Sequence, residues 1–103
     1  MSYDLFVRQA GSMEAGDDRP LGSREMIMKA LEQVFPDLEW ESPDFGVCED
    51  GDGSAEFSMG DGDPVAYFAV TFHGLAIDLM ERLERMARTE GWEVFDPQEG
   101  DAI

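Results

Sequence analysis

Residues 45–73 read FGVCEDGDGSAEFSMGDGDPVAYFAVTFH, and this stretch decides the class of fold. Segments 50–53 and 60–64 alternate aspartate with glycine, and they divide the stretch into three runs rich in apolar and aromatic residues. Asp-Gly pairs between such runs are a signal for the tight turns that join hairpin strands. We therefore expect three short antiparallel strands in succession. They are predicted over residues 45–49, 55–59 and 65–73.

The last of these three strands has the clearest strand pattern in the chain. Val65 and Tyr67 point to one side of it and Phe68 and Phe72 to the other, so that both sides are largely apolar. A strand that is apolar on both sides is typical of the middle of a sheet. We therefore expect residues 65–73 to form a central strand.

The segment before the strands predicts a helix over residues 23–35. Apolar residues at spacings of three and one, Ile27 and Leu31 among them, form one helical face. Ser23 is the expected N-cap, because its hydroxyl oxygen can accept a hydrogen bond from a free backbone N–H. Pro36 ends the helix, since the residue before a proline is pushed out of the α region.

The segment after the strands predicts a second helix over residues 75–90. Its apolar stripe includes Leu79 and Leu83. Gly91 follows at the position where a left-handed glycine commonly ends a helix. Acidic residues also precede basic ones by four positions, a spacing that favours ion pairs on a helix surface. The three expected pairs are Asp78–Arg82, Glu81–Arg85 and Glu84–Arg88.

The remaining apolar runs complete an α+β fold. The order β-α-β-β-β-β-α-β favours a two-layer domain in which two helices pack on one face of a mainly antiparallel sheet. We expect residues 1–103 to form a single domain, with a mobile loop at 9–22 and a frayed C-terminus at 98–103. The additional strands are predicted over residues 2–8, 38–41 and 92–95.

The formal net charge is −17, and it is concentrated in the middle of the 103-residue chain. Between Lys29 and Arg82 there are thirteen acidic residues and no lysine or arginine. Such a chain is repelled by nucleic-acid phosphates and by anionic membranes, which disfavours both as partners. An alternative is that the acidity reflects the proteome of the organism, in which case the chain is a housekeeping domain without a dedicated partner.

The chemistry-bearing residues indicate neither a catalytic nor a cofactor site. The lone Cys48 is flanked by acids, which raise the pKa of a thiol and oppose a nucleophilic role with His73. We expect no catalytic, cofactor-binding or metal-binding residue and a protein that is not an enzyme. One alternative is a divalent-cation-binding or carboxylate-based enzyme, in which the aspartates of the two turns share an edge of the sheet. These aspartates are Asp50, Asp52, Asp61 and Asp63.

The acidic middle of the chain is the candidate binding surface. Acids alternate with aromatic residues from Leu38 to Phe45, and Trp is enriched at the energetic centres of interfaces. Trp40 has a second interpretation, in which its ring faces the core. The residues predicted to bind a basic protein partner are Asp37, Glu39, Trp40, Glu41, Asp44, Phe45, Asp50, Asp52, Asp61 and Asp63.

The two ends of the chain carry a family resemblance. Residues 1–7, MSYDLFV, and residues 91–98, GWEVFDPQ, resemble the ends of small bacterial proteins, some of which are encoded beside secreted toxins and are similar to immunity proteins. The resemblance implies a bacterial α+β protein, and it supplies no catalytic residue. The N-terminus also lacks a signal-peptide pattern and the single cysteine excludes an internal disulfide, so we expect a cytoplasmic protein. The function hypothesis is an inhibitor or immunity protein that covers a basic site on its partner.

Overall fold

The structure is a computed structural model that describes residues 2–9, 20–60, 62–96 and 101–102. Within these residues the chain forms seven strands and two helices. Their order confirms the predicted order of elements, with one further strand at the end. The elements are β1 (Ser2–Gln9), α1 (Arg24–Val34), β2 (Glu39–Ser42), β3 (Phe45–Asp50), β4 (Gly53–Ser58), β5 (Tyr67–Gly74), α2 (Ile77–Glu90), β6 (Trp92–Asp96) and β7 (Asp101–Ala102).

The seven strands form one antiparallel sheet in the order β2-β3-β4-β5-β1-β6-β7. The helices pack on one face of it, because the apolar stripes of α1 and α2 share one core with the inward side chains of the strands. This confirms the predicted α+β two-layer architecture. It also places β5, the strand with the clearest pattern, in the middle of the sheet.

The two faces of the sheet differ sharply in burial. Phe68 and Val70 of β5 are fully buried beneath the helices, together with their cross-strand neighbours. Tyr67, on the opposite side of the same strand, is 51% exposed. We name this second side the open face, and it carries the alternate side chains of every strand that the helices do not cover.

Both helices have the caps that the sequence predicts. The Ser23 side chain accepts a hydrogen bond from the backbone N–H of Met26 at 3.2 Å. Gly91 adopts a left-handed conformation with φ of 77°, and its N–H donates to the carbonyls at the end of α2. The three expected ion pairs on α2 do not form within the described residues. The ion pair of this spacing is instead Glu25–Lys29 on α1, at 3.1 Å.

The start of the central strand differs from the prediction. Strand β5 begins at Tyr67 rather than at residue 65, because Val65 pairs with Gly22 in an isolated bridge. The Val65 N–H donates to Gly22 O, and the Leu21 N–H donates to Val65 O, each at 2.8 Å. This bridge ties the chain before α1 to the chain before β5.

Two predicted flexible segments fall largely outside the described residues. Residues 10–19 of the expected loop at 9–22 lie outside them. Of the segment 98–103, Asp101 and Ala102 form β7 beside β6, and the remaining residues lie outside the described part of the chain.

Candidate functional site

The two Asp-Gly segments lie at opposite ends of the sheet. Strand β4 connects them, and its six residues span about 20 Å at the usual rise of ~3.4 Å per residue. We name the end with the β3–β4 turn, residues 50–53, the hairpin end. The end with residues 60–64 is the loop end. A cation site shared by both segments would require them at one edge of the sheet. Strand β4 instead separates Asp50 and Asp52 from Asp63.

A shallow cavity with an acidic lining opens beside the hairpin end. Its volume is about 320 Å³, and its apolar lining residue is Val47 of β3. Glu39 on β2 lies directly across from Val47 in the β2–β3 register, so both side chains emerge on the open face. Among the described residues, no lysine or arginine lines the cavity. Its four carboxylates belong to Asp37, Glu39, Glu41 and Glu49. We name this cavity, which these four residues line, the acidic cavity.

The acids of this region are close enough to perturb a buried neighbour. The Cys48 side chain lies in the core between Val47 and Glu49. Burial raises the pKa of the Cys48 thiol, and the negative charges of Asp37, Asp50 and Glu49 raise this pKa further. Arg82 on α2 acts in the opposite direction. Burial is thus the main cause of the raised pKa of the thiol, and the nearby acids add to it.

The open face continues the acidic surface across the sheet. Val47 pairs with Glu56 on β4, Glu56 pairs with Thr71 on β5, and Thr71 pairs with Asp4 on β1. The Thr71 hydroxyl donates to Asp4 Oδ1 at 2.7 Å. Glu56 Oε1 lies 2.5 Å from His73 Nε2. Asp4 and Glu56 are therefore engaged with neighbours on the sheet.

At the loop end, Asp44 and Asp63 accept hydrogen bonds from other residues of the protein. The Arg24 guanidinium donates to Pro43 O at 3.0 Å and to Gly60 O and Gly62 O, each at 2.7 Å. Asp63 Oδ1 accepts a hydrogen bond from the Arg24 backbone N–H at 3.1 Å. Asp44, which also lies at this end, accepts a hydrogen bond from the Ser42 hydroxyl at 2.6 Å. Asp44 and Asp63, both predicted to bind the partner, therefore lie apart from the acidic cavity.

The two aromatic residues predicted to bind the partner do not line the acidic cavity. Trp40 packs against the core on the helix side, and its indole N–H donates to Glu32 Oε1 at 2.9 Å. Gly46 permits this packing, because a Cβ there would lie 2.7 Å from the Trp40 ring. Phe45 is half-buried at the loop end of β3, across from Ser58. Asp61 lies outside the described residues.

The arrangement separates the chemistry-bearing side chains. Cys48 pairs with Ala55, and both are buried on the helix side, whereas His73 pairs with Ser54 on the open face. A nucleophile and its base would have to meet through the sheet. Among the described residues, no group of three or more His, Cys, Asp or Glu is placed to hold a metal ion.

Two other cavities are slightly larger and differ in character. One, of about 370 Å³, lies between the helices and is lined by Arg82 and Arg85 together with Glu90. The other, of about 360 Å³, lies over Phe6 and Tyr67 on the open face. The acidic cavity is distinguished from both by a lining whose charges are all of one sign.

Comparison of the chain with protein families, with curated proteins and with solved structures finds no match. In the part of the chain that the structure describes, no helix combines the length and the apolar character that crossing a membrane requires.

Proposed function

We propose that this protein is a small, non-enzymatic interaction protein whose acidic cavity binds a basic surface on a protein partner. One observation supports the proposal above all. Four carboxylates surround a single concave surface, and no lysine or arginine from the described part of the chain lines it. A cationic partner supplies the charge that this surface lacks, which gives complementarity across the interface.

The distribution of charge over the fold favours the hairpin end over the helices. The two helices together carry six acidic and five basic residues, so their net charge is small. Residues 35–76 carry ten acidic residues and no lysine or arginine. Charge separated in this way steers a basic partner toward one side of the molecule, and steering raises association rates by roughly 10- to 1000-fold.

We assign the carboxylates to charge complementarity rather than to catalysis. Asp37, Glu39, Glu41 and Glu49 are exposed, and an exposed carboxylate contributes to a long-range field without a fixed geometry. Catalysis instead requires reacting groups held in a near-attack arrangement. An inhibitor or immunity protein in the bacterial cytoplasm, bound to a basic protein such as a nucleic-acid-cleaving toxin, fits this mode of action.

The test compares two variants with the same net charge. The first neutralises the cavity by Glu39→Gln, Glu41→Gln and Glu49→Gln. The matched control neutralises three exposed helix residues by Glu25→Gln, Glu81→Gln and Glu90→Gln. Each variant and the unmodified chain are immobilised, the partner is recovered from the native host, and its dissociation constant is measured over a series of salt concentrations.

We expect the cavity variant to bind at least tenfold more weakly and with a shallower salt dependence. The helix variant should differ little from the unmodified chain. Equal losses in the two variants would mean that only net charge matters, and the assignment to the cavity would be wrong. A partner held with no salt dependence would contradict the proposed function itself.

A further inference from the structure

Two large aliphatic side chains are exposed at the hairpin end. Leu75 is 73% exposed and Ile77 is 64% exposed, more than Tyr67 or Met26, the other large hydrophobic residues that stand out at the described surface. Single exposed aliphatic residues are ordinary on a protein surface. Here two lie within three residues, and Ala76 between them is buried.

The position of Ile77 follows from the geometry of α2. Consecutive residues of a helix are rotated by about 100°, so Ile77 lies roughly 120° away from the stripe that Leu79, Leu83 and Ala87 bury in the core. Ile77 therefore cannot join that stripe while the helix stays in register. The position of Ile77 away from the apolar stripe is visible in the sequence, but the prediction of a helix over residues 75–90 does not use it.

The Leu75 backbone is held against the acidic turn. Its N–H donates to Asp52 O at 3.4 Å. A Cβ at Gly53 would lie 2.4 Å from Leu75 O, and a Cβ at Gly74 would lie 2.3 Å from Asp52 O. Gly74 also has a φ of 70°, which favours glycine. Glycine at both positions thus permits a close approach that presents the aliphatic pair in one orientation.

Acidic residues border the aliphatic pair. Asp50 and Asp52 are exposed on the turn that contacts Leu75, and the exposed Asp78 follows Ile77. Segments 50–53 and 74–78 contain no lysine or arginine. An apolar centre with a polar, charged rim is the usual anatomy of a protein interface.

We propose that Leu75 and Ile77 form the apolar centre of the interface with the basic partner. The inference rests on the proposed function, and it specifies the partner surface: an apolar patch bordered by lysine or arginine. A second copy of this chain does not fit, because two molecules with a net charge of −17 repel each other. A partner that is basic but uniformly polar would leave both aliphatic side chains in water.

The test uses two synthetic peptides of equal length and charge. One is an amphipathic helix of lysine and leucine, and in the other serine replaces each leucine. Fluorescence anisotropy gives the dissociation constant of each peptide with the unmodified chain at low salt. We expect about tenfold tighter binding of the leucine peptide, since burial of one aliphatic side chain supplies a difference of this order.

The double variant Leu75→Ser with Ile77→Ser should lose this preference and keep its affinity for the serine peptide. Met26→Ser, which removes an exposed side chain of α1, is the matched control and should keep the preference. The single variant Leu75→Met retains an apolar side chain at this position and should also keep the preference for the leucine peptide. Because the two serines replace exposed residues, the unfolding midpoint should not change.

The outcomes separate the two proposals. A double variant that still prefers the leucine peptide overturns the role of Leu75 and Ile77 and leaves the proposed function intact. The cavity variant with three Glu→Gln substitutions should weaken binding of both peptides equally. Failure of the unmodified chain to bind either peptide at low salt contradicts the proposed function, and with it this inference.

Discussion

The hairpin end and the loop end have nearly the same local sequence, DGDG and GDGDP, but their described aspartates differ in hydrogen bonding. At the loop end Asp63 accepts a hydrogen bond from the Arg24 backbone N–H, and the Arg24 guanidinium donates hydrogen bonds to three backbone carbonyl groups. At the hairpin end Asp50 and Asp52 are exposed, and their side chains make no hydrogen bond or ion pair with any described residue.

This difference shows that composition alone does not assign a role to an acidic turn. Arg24 accounts for the difference, because it begins α1 next to the loop end, whereas no lysine or arginine of residues 2–9, 20–60 or 62–96 lines the acidic cavity. Asp63 at the loop end therefore contributes a hydrogen bond to the fold, whereas the side chains of Asp50 and Asp52 at the hairpin end contribute none to any described residue. Substitutions at the two ends should separate these effects.

The largest effect is expected from Gly74→Ala at the hairpin end. The new methyl group would lie 2.3 Å from Asp52 O in a residue with φ of 70°. Left-handed strain and overpacking together should lower the free energy of unfolding by about 3 kcal/mol. Gly51→Ala is the matched control, because it has φ of 59° and no atom within 4 Å of the new Cβ. It should cost about 1–2 kcal/mol, as measured by urea denaturation. Equal costs would refute the close approach of β5 to the turn.

The next effect is expected from Arg24→Ala at the loop end. The substitution removes three hydrogen bonds to carbonyl groups and should lower the free energy of unfolding by about 1–2 kcal/mol, since exposure to water reduces the contribution of each bond. Lys29→Ala, which breaks the exposed pair with Glu25, should cost no more than about 0.5 kcal/mol. If thermal unfolding shows the two variants to be equally stable, Arg24 does not organise the loop end.

A smaller effect distinguishes the aspartates of the two ends. Asp63→Ala removes the acceptor for a backbone N–H at the start of α1 and should cost about 1 kcal/mol, as the loss of a helix cap does. Asp52→Ala should change the free energy of unfolding by less than about 0.5 kcal/mol. Its sign should be stabilising at low salt, because a like charge is removed. If Asp52→Ala lowers the free energy of unfolding as much as Asp63→Ala does, the aspartates of the two ends do not differ in their contribution to stability.

The smallest effect concerns the ionisation of Cys48. Because burial and then the acids Asp37, Asp50 and Glu49 raise its pKa, the thiol stabilises the fold below its ordinary pKa of 9.0, and this contribution is lost as pH rises through the raised pKa. Cys48→Ala should therefore reduce the loss of stability at alkaline pH. Urea denaturation over a pH series measures this change.

The same thiol can report on both ends of the sheet. The double variant Asp37→Asn with Glu49→Gln should lower the pKa of Cys48 toward its ordinary value. The ultraviolet absorbance of the thiolate measures this pKa. Asp44→Asn with Asp63→Asn at the loop end should leave it in place. A shift in the second variant as large as in the first would show that the field at Cys48 does not arise from the hairpin end.

Local patterns in the sequence are sufficient for the type and the order of the two helices and the first six strands. The caps at Ser23 and Gly91 are predicted correctly because capping involves residues that are near neighbours along the chain. The start of β5 was misplaced because Val65 is held by Gly22, which is distant in the sequence. The expected ion pairs on α2 were wrong because exposed charged side chains at suitable spacing gain little by closing.

The candidate site was predicted less completely than the fold. Glu39 and Glu41 were included because acids alternate along one strand, and β2 does place both of them at the acidic cavity. Asp44 and Asp63 were grouped with them on the basis of charge alone, although their partners are Ser42 and Arg24. Such partners cannot be identified before the chain is folded.

The charge, the turns and the order of the first eight elements follow from residues that are neighbours along the chain. Which acids face solvent together depends on the folded arrangement. Residues 37 and 49 meet only through the pairing of β2 with β3, and Leu75 meets Asp52 only through two glycines on adjacent strands. Contacts between distant segments depend on register and close packing, so the Asp63 side chain of one Asp-Gly segment is hydrogen-bonded, whereas those of Asp50 and Asp52 in the other are not bonded to any described residue.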